Sequence, residues 1–214
     1  MKTRRVAFYG KGGIGKSTIA SNVSALLAMQ GKKVLHIGCD PKADSTMNIV
    51  GEQGIEPVMD VLRGGNIHPA LEDICKVGFA GVYCVEAGGP IPGMGCAGRG
   101  IITTFELLEE LEAFEKINPD IVLFDVLGDV VCGGFAAPIR ENYADEVIIV
   151  TSGEKMSLYA AGNIVKAVKS FETRGYASVK GVILNRRNVE DEEVEVVRFL
   201  EENELPLLGD IPRD

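Results

Sequence analysis

Three groups of residues have the types and spacing to do chemistry. The first is Gly10-Lys11-Gly12-Gly13-Ile14-Gly15-Lys16-Ser17, which fits G-x-x-x-x-G-K-[ST] and runs on into Thr18. An apolar run, Val6-Ala7-Phe8-Tyr9, comes before it, and a helical pattern reaching Met29 follows. In that setting the glycines let backbone N–H groups turn around phosphate oxygens, and the new helix aims its positive end at them. Lys16 is then the group that reaches the β- and γ-phosphates, and Ser17 a ligand for Mg²⁺. A glycine-rich turn matching by chance would not need a strand before it and a helix after it. Lys11 is not required by the motif. It reads either as a solvated charge or as a lysine that reaches across a dimer interface to the other subunit's nucleotide.

The second group is carboxylates at strand ends. Ile121-Val122-Leu123-Phe124-Asp125 is an apolar run closed by an aspartate, the Walker B pattern, and its carboxylate helps hold Mg²⁺ and its waters. Many strands end in Asp as a turn former, so the phosphate loop upstream carries the assignment. Asp40 and Asp44 lie in Cys39-Asp40-Pro41-Lys42-Ala43-Asp44-Ser45-Thr46. They read as an Asx-capped turn, or as a switch with Asp40 near the metal, sensing loss of the γ-phosphate. Asp129 can position an attacking water or be a surface carboxylate.

The third group is cysteine. Cys39 and Cys84 lie on or beside apolar strands and read as core residues, and Cys75 has no evident partner. Cys96 sits in the glycine-rich run 88–100, and Cys132 is followed by Gly133-Gly134. Glycine lets backbone N–H groups approach a sulfur, which suits a thiolate and tunes an iron–sulfur centre. A [4Fe–4S] cluster takes four thiolates, and one chain offers two. A two-fold homodimer supplies the other two on its axis. Two free thiols in loops is the alternative. Residues 125–132 would then connect the metal and nucleotide at one end to Cys132 at the other.

These groups need elements to position them. Strands are expected at Val6–Tyr9, Val34–Gly38, Val82–Val85, Ile121–Phe124, Val147–Val150 and Val179–Leu184, with a short one near Leu207. Helices are expected over Lys16–Met29, from Pro57, and over Ile101–Phe114, Lys155–Phe171 and Glu192–Glu202. The alternation predicts an α/β fold, a P-loop NTPase with a mostly parallel sheet covered by helices on both faces, forming one domain over residues 1–214. Ligands of such sheets bind at the strands' carboxyl ends, where the polar clusters fall. His36, in an apolar strand, reads as a satisfied core histidine, and His68 as a loop residue. Neither has metal-ligand spacing.

Composition excludes other classes. The formal charge is −9 with no run of Lys or Arg, which argues against a nucleic-acid partner. No apolar run reaches about 18 residues, so no membrane span is expected. Met1-Lys2-Thr3-Arg4-Arg5 leads straight into a strand with no signal-peptide core, so a cytoplasmic, thiol-reducing setting is expected.

Taken together, these residues resemble a known family. Gly10–Ser17 with Lys11, Gly38–Thr46, Glu86-Ala87-Gly88-Gly89-Pro90, Gly95-Cys96-Ala97-Gly98-Arg99-Gly100, Asp125–Phe135 and Pro138-Ile139-Arg140-Glu141-Asn142 are similar to the nitrogenase iron proteins, the dinitrogenase reductases. The resemblance implies a homodimer with one [4Fe–4S] cluster held by Cys96 and Cys132 of both subunits. It implies one MgATP per subunit, giving MgADP, and single-electron transfer to a larger nitrogenase-like catalytic protein. Arg99 falls at the family's docking arginine, a modification target in some members, and Arg140 is a second docking charge. Asn185 matches the family's base-contacting residue, and Pro212-Arg213-Asp214 its adenine-side motif. Two departures stand out. Family members continue several tens of residues past that motif, whereas this sequence ends at Asp214. Met47 stands where nitrogen-fixing members carry Arg, which leaves a nitrogenase-like reductase open. The competing readings are a non-redox signature-lysine ATPase of the partitioning or division-site type, and a cluster-assembly carrier, which would use a C-x-x-C pair absent here.

Overall fold

The apolar runs pair into one eight-stranded sheet in the order β3-β4-β2-β5-β1-β6-β7-β8, parallel except for the antiparallel β3–β4 pair. The structure is a computed structural model, and it describes residues 2–90, 97–128, 133–140, 143–172 and 176–213. The strands are β1 (Arg4–Tyr9), β2 (Val34–Cys39), β3 (Lys76–Val77), β4 (Tyr83–Glu86), β5 (Ile121–Val126), β6 (Glu146–Thr151), β7 (Ser178–Asn185) and β8 (Leu207–Ile211). The helices are α1 (Lys16–Met29), α2 (Met47–Val50), α3 (Val58–Arg63), α4 (Leu71–Ile74), α5 (Ala97–Glu110), α6 (Ala113–Ile117), α7 (Gly133–Arg140), α8 (Lys155–Glu172) and α9 (Glu192–Asn203).

The two sheet faces build separate cores. Val6, Phe8, Val34, Leu123 and Val150 pack with Ile14, Ile19 and Ala20 on the α1 side. Ala7, Tyr9, Ile37, Phe124 and Ile149 pack with residues of α5, α7 and α8 on the other. Strands β2 and β5 are buried at every position, as central strands covered on both faces must be.

Register brings one row of residues side by side near the strands' carboxyl ends. Phe8 pairs with Asp125, Asp125 with Gly38, and Gly38 with Glu86. Asp125 lies on the face of Ile121 and Leu123, and Glu86 on the face of Cys84, so both carboxylates share the α1 side.

Some elements differ from the sequence expectation. The helix expected over 101–114 begins at Ala97 and stops at Glu110, because Glu112 adopts the left-handed conformation with φ of 53° before α6 starts. Helix α7 includes Pro138, a residue that argues against a helix interior. Cys75 does have a neighbour: it lies beside Cys84, in the strand paired with β3.

Candidate nucleotide-binding site

The loop after β1 must turn sharply, and its backbone runs close to its neighbours. A Cβ on Gly10 would lie 2.4 Å from the Val150 carbonyl oxygen. Gly15 caps α1 with φ of 91°, a conformation that favours glycine, and a Cβ there would sit 2.6 Å from Asn185 Nδ2. The loop's outward carbonyls are held from β7 and its exit. Asn185 Nδ2 donates to Ile14 O at 2.7 Å, and the Arg187 guanidinium to Gly13 O at 2.9 Å. Arg213 in turn donates to Arg187 O at 3.1 Å.

A cleft of about 370 Å³ opens on this loop, lined by Lys11, Lys16, Ser17, Thr18 and the loop glycines, with Asp40, Lys42, Asp44 and Gly128 opposite. Lys16 is 7% exposed and forms an ion pair with the fully buried Asp125. Burial alone would raise the Asp125 pKa, but the Lys16 charge, with His36 and the hydrogen bonds from Lys16 and Ser17, holds it below the usual carboxylate range. The donor set fits a hard cation. Asp125 and the Ser17 hydroxyl come together at the start of α1, with Asp40 on the facing loop.

Behind Asp125 runs a buried relay. Ser45 Oγ donates to Asp125, so its oxygen must accept from His36 Nε2, 3.1 Å away. His36 Nδ1 then accepts from Ser24 Oγ at 2.8 Å. Burial pushes the imidazole pKa down to about 4, so the ring is neutral and its tautomer is fixed by the relay. The core-histidine reading of His36 holds, with Ser24 and Ser45 as its partners.

The loop 40–46 contains the Asx turn expected from its sequence: Lys42 N–H donates to Asp40 Oδ1 at 2.9 Å. Ala43 follows with φ of 51°, a strained value for a residue with a side chain. The turn and the cleft-lining role therefore coexist.

A family described as 4Fe-4S iron sulfur cluster binding proteins, NifH/frxC family, matches residues 4–214. The chain belongs to this family. It is 53% identical over 213 residues to the nitrogenase iron protein of Methanospirillum hungatei, covering 98% of this chain and 75% of that one. It is 48% identical over 210 residues to that of Methanococcus voltae, with the same coverage of both chains. Nitrogenase iron protein 2 of Paenibacillus durus is 49% identical, across 99% of this chain and 72% of the other. The fold is also that of the septum site-determining protein MinD of Pyrococcus horikoshii, solved with Mg-ADP (TM-score 0.72, 24% identity, 99% of this chain and 82% of that one). A ParA family ATPase from Chlorobium tepidum is similar too (TM-score 0.72, 22% identity, 100% and 86%). These likenesses bear on the fold alone.

In this NifH/frxC-family chain the expected phosphate-loop residues, Asp40, Asp44 and Asp125 converge on one rim. Cys96, Asp129, Cys132 and Asp214 lie outside the described residues, as does the side chain of Arg140. Arg99 is exposed near the start of α5. Pro212 and Arg213 are exposed beyond β8, with Arg213 within reach of the loop that holds Gly13. Cys39, Cys75 and Cys84 are protonated thiols, their pKa values raised by burial, that of Cys75 to about 11. Among the described residues no helix is long and apolar enough to cross a membrane. Sequence reasoning assigned no role of its own to Lys42 or Glu86, and read Gly128 only as part of the connector 125–132. A Cβ on Gly128 would meet Gly10 O at 2.4 Å and Gly12 N at 2.7 Å, so the segment after Asp125 rests directly on the phosphate loop. A cross-strand approach of that kind leaves no local signal.

Proposed function

We propose that this protein is an ATP-dependent electron donor: a homodimer, built from a single P-loop domain, that couples MgATP hydrolysis to electron delivery to a larger nitrogenase-like catalytic protein. The observation that carries the redox half is the position of two helix starts. Helix α5 begins one residue after Cys96 and α7 one residue after Cys132. Each follows a parallel strand, so both start at the rim that holds the phosphate loop, and the two helices pack together. A helix start favours a thiolate over a thiol. The donor chemistry fits: two such cysteines from each subunit make the four thiolates of a [4Fe–4S] cluster, one per dimer. When bound, that cluster supplies the one-electron redox chemistry.

The chain's own residues do the rest. Backbone N–H groups of Gly12 to Ser17 cradle phosphates. Lys16, paired with Asp125, would turn to the β- and γ-phosphates, and Asp125, Ser17 and Asp40 would hold Mg²⁺, which would supply charge neutralisation for phosphoryl transfer. Lys11 reaches the nucleotide of the partner subunit, and Asp129 orients the attacking water. Asn185, Pro212, Arg213 and Asp214 serve to recognise the base. Arg99 and Arg140 are docking charges for the catalytic protein. A cytoplasmic, reducing setting suits a cluster with thiolate ligands.

The test is anaerobic iron analysis with electron paramagnetic resonance of the reduced protein. About four irons per two chains are expected from the ligand count. A signal that changes with MgATP, and is lost in Cys96→Ala and Cys132→Ala, supports the reading. Protein that takes up no iron on anaerobic reconstitution would leave a non-redox ATPase.

A further inference from the structure

Glu86 is a fully buried carboxyl with no part in the phosphate cleft. Its Oε1 accepts two hydrogen bonds from Thr46, from the N–H at 2.6 Å and from Oγ at 2.7 Å. Its Oε2 is buried without a hydrogen-bond partner, the one such side-chain atom among the described residues. That oxygen lies over Gly38, where a Cβ would come within 2.0 Å of it. A half-satisfied buried carboxyl costs stability, and an apolar side chain would fill the position without that cost.

What Glu86 does is join two segments. Thr46 closes the loop 40–46, whose Asp40, Lys42 and Asp44 line the phosphate cleft. Glu86 opens the segment that leads through Gly88-Gly89-Pro90 to Cys96. Two further contacts tie the same pair. Ala87 N–H donates to Gly38 O at 2.9 Å, and Gly89 packs on Pro41 so closely that a Cβ would stand 2.5 Å from the proline Cβ. The far side of this segment grips α3, through Met59 N–H to Ala87 O at 3.1 Å and Arg63 to Gly89 O at 2.6 Å. Close-packed contacts of this kind do not stretch. A displaced loop 40–46 either carries residues 86–90 with it or breaks the Glu86–Thr46 bonds.

We infer that Glu86 is a positioning residue that latches loop 40–46 to the 86–90 segment, so that the state of the nucleotide reaches the Cys96 side of the cluster as well as the Cys132 side. The inference rests on the proposed function only for what Cys96 holds. By linkage the coupling is reciprocal, and a change at 86–90 alters nucleotide affinity.

Amide hydrogen exchange on the anaerobically purified protein, with and without MgATP, tests this directly. In the parent, MgATP changes exchange in peptides covering 10–18, 40–46 and 86–100. In Glu86→Ala the change at 10–18 remains, and that at 86–100 falls by about tenfold or more, the scale of losing two buried hydrogen bonds. Glu86→Gln keeps an oxygen acceptor for Thr46 and retains the response, whereas Glu86→Met fills the space without an acceptor and loses it. A Glu86→Ala protein with the parent's full change at 86–100 overturns the latch, as does a parent with no change there. Should Glu86→Ala fail to fold, Thr46→Val removes one donor at constant shape. A reduced response supports the latch and an unreduced one overturns it. Exchange is read whether or not iron is bound, so loss of the cluster reading and loss of the latch give different results.

Discussion

Glu86 and Asp125 stand on either side of Gly38 in one row of the sheet, yet their protons behave oppositely. Lys16 keeps Asp125 ionised, while burial lifts Glu86 from an ordinary 4.5 to about 7. Between those two pH values the folded chain holds a proton that the unfolded chain has released. The sign follows: the contribution of Glu86 to stability is present below about pH 4.5 and is lost as pH rises through about 7, by roughly 3 kcal/mol in all. Glu86→Gln does not titrate. Urea unfolding should therefore show the variant gaining on the parent from pH 5 to pH 8, and a constant gap would mean that Glu86 titrates as an exposed carboxyl. Single residues were unevenly legible in the sequence. Asp125 announced itself because a carboxylate closing an apolar strand after a phosphate loop is a local pattern. Glu86 closes a strand in the same way, but its meaning depends on Gly38 in the neighbouring strand and Thr46 in a distant loop. His36 was read correctly as a satisfied core histidine, though periodicity gave no hint that Ser24 and Ser45 are its partners.

Among the elements, the segment after β5 makes the closest approach to the phosphate loop. Gly128 leaves no room for a side chain between itself and Gly10, Lys11 and Gly12. Gly128→Ala must push the loop carbonyl and N–H groups out of place, because backbone cannot step aside as a flexible side chain can. The variant is expected to fold but to bind MgATP at least about tenfold more weakly by calorimetry, the scale of losing one good hydrogen bond to phosphate. Binding at the parent's affinity would show that residues 125–128 are not seated on the loop in solution. Most strands and long helices were legible because β-branched runs and amphipathic stretches alternate cleanly. Helices α2 and α4 and the two-residue β3 are too short to show a period. The break at Glu112 has no glycine or proline to mark it, and Pro138 concealed α7.

For the molecule as a whole, the proposed dimer has two copies facing across their nucleotides. Lys11 is exposed, lines the cleft and takes no part in the Lys16–Asp125 pair, so a second subunit's phosphate can reach it. ATPase activity per chain should therefore rise with protein concentration. Lys11→Gln should lower turnover by about 100-fold, as loss of one transition-state donor does, with MgATP affinity changed only a few-fold. Turnover independent of concentration, or unaffected in Lys11→Gln, would mean that each subunit hydrolyses alone. The bracing of the phosphate loop by Asn185 and Arg187 has a consequence for how such a dimer tells one nucleotide from another. With the carbonyls of Gly13 and Ile14 already tied outward, the loop is preorganised: its conformational entropy is given up when the chain folds and does not oppose ligand capture. A rigid cradle of this kind meets the phosphates shared by ATP and ADP in much the same way. Tight binding there cannot shift a conformational equilibrium, because only a difference in affinity between states does so. Discrimination between the two nucleotides therefore falls to the cleft lining outside the braced loop, Asp40, Lys42, Asp44 and Gly128.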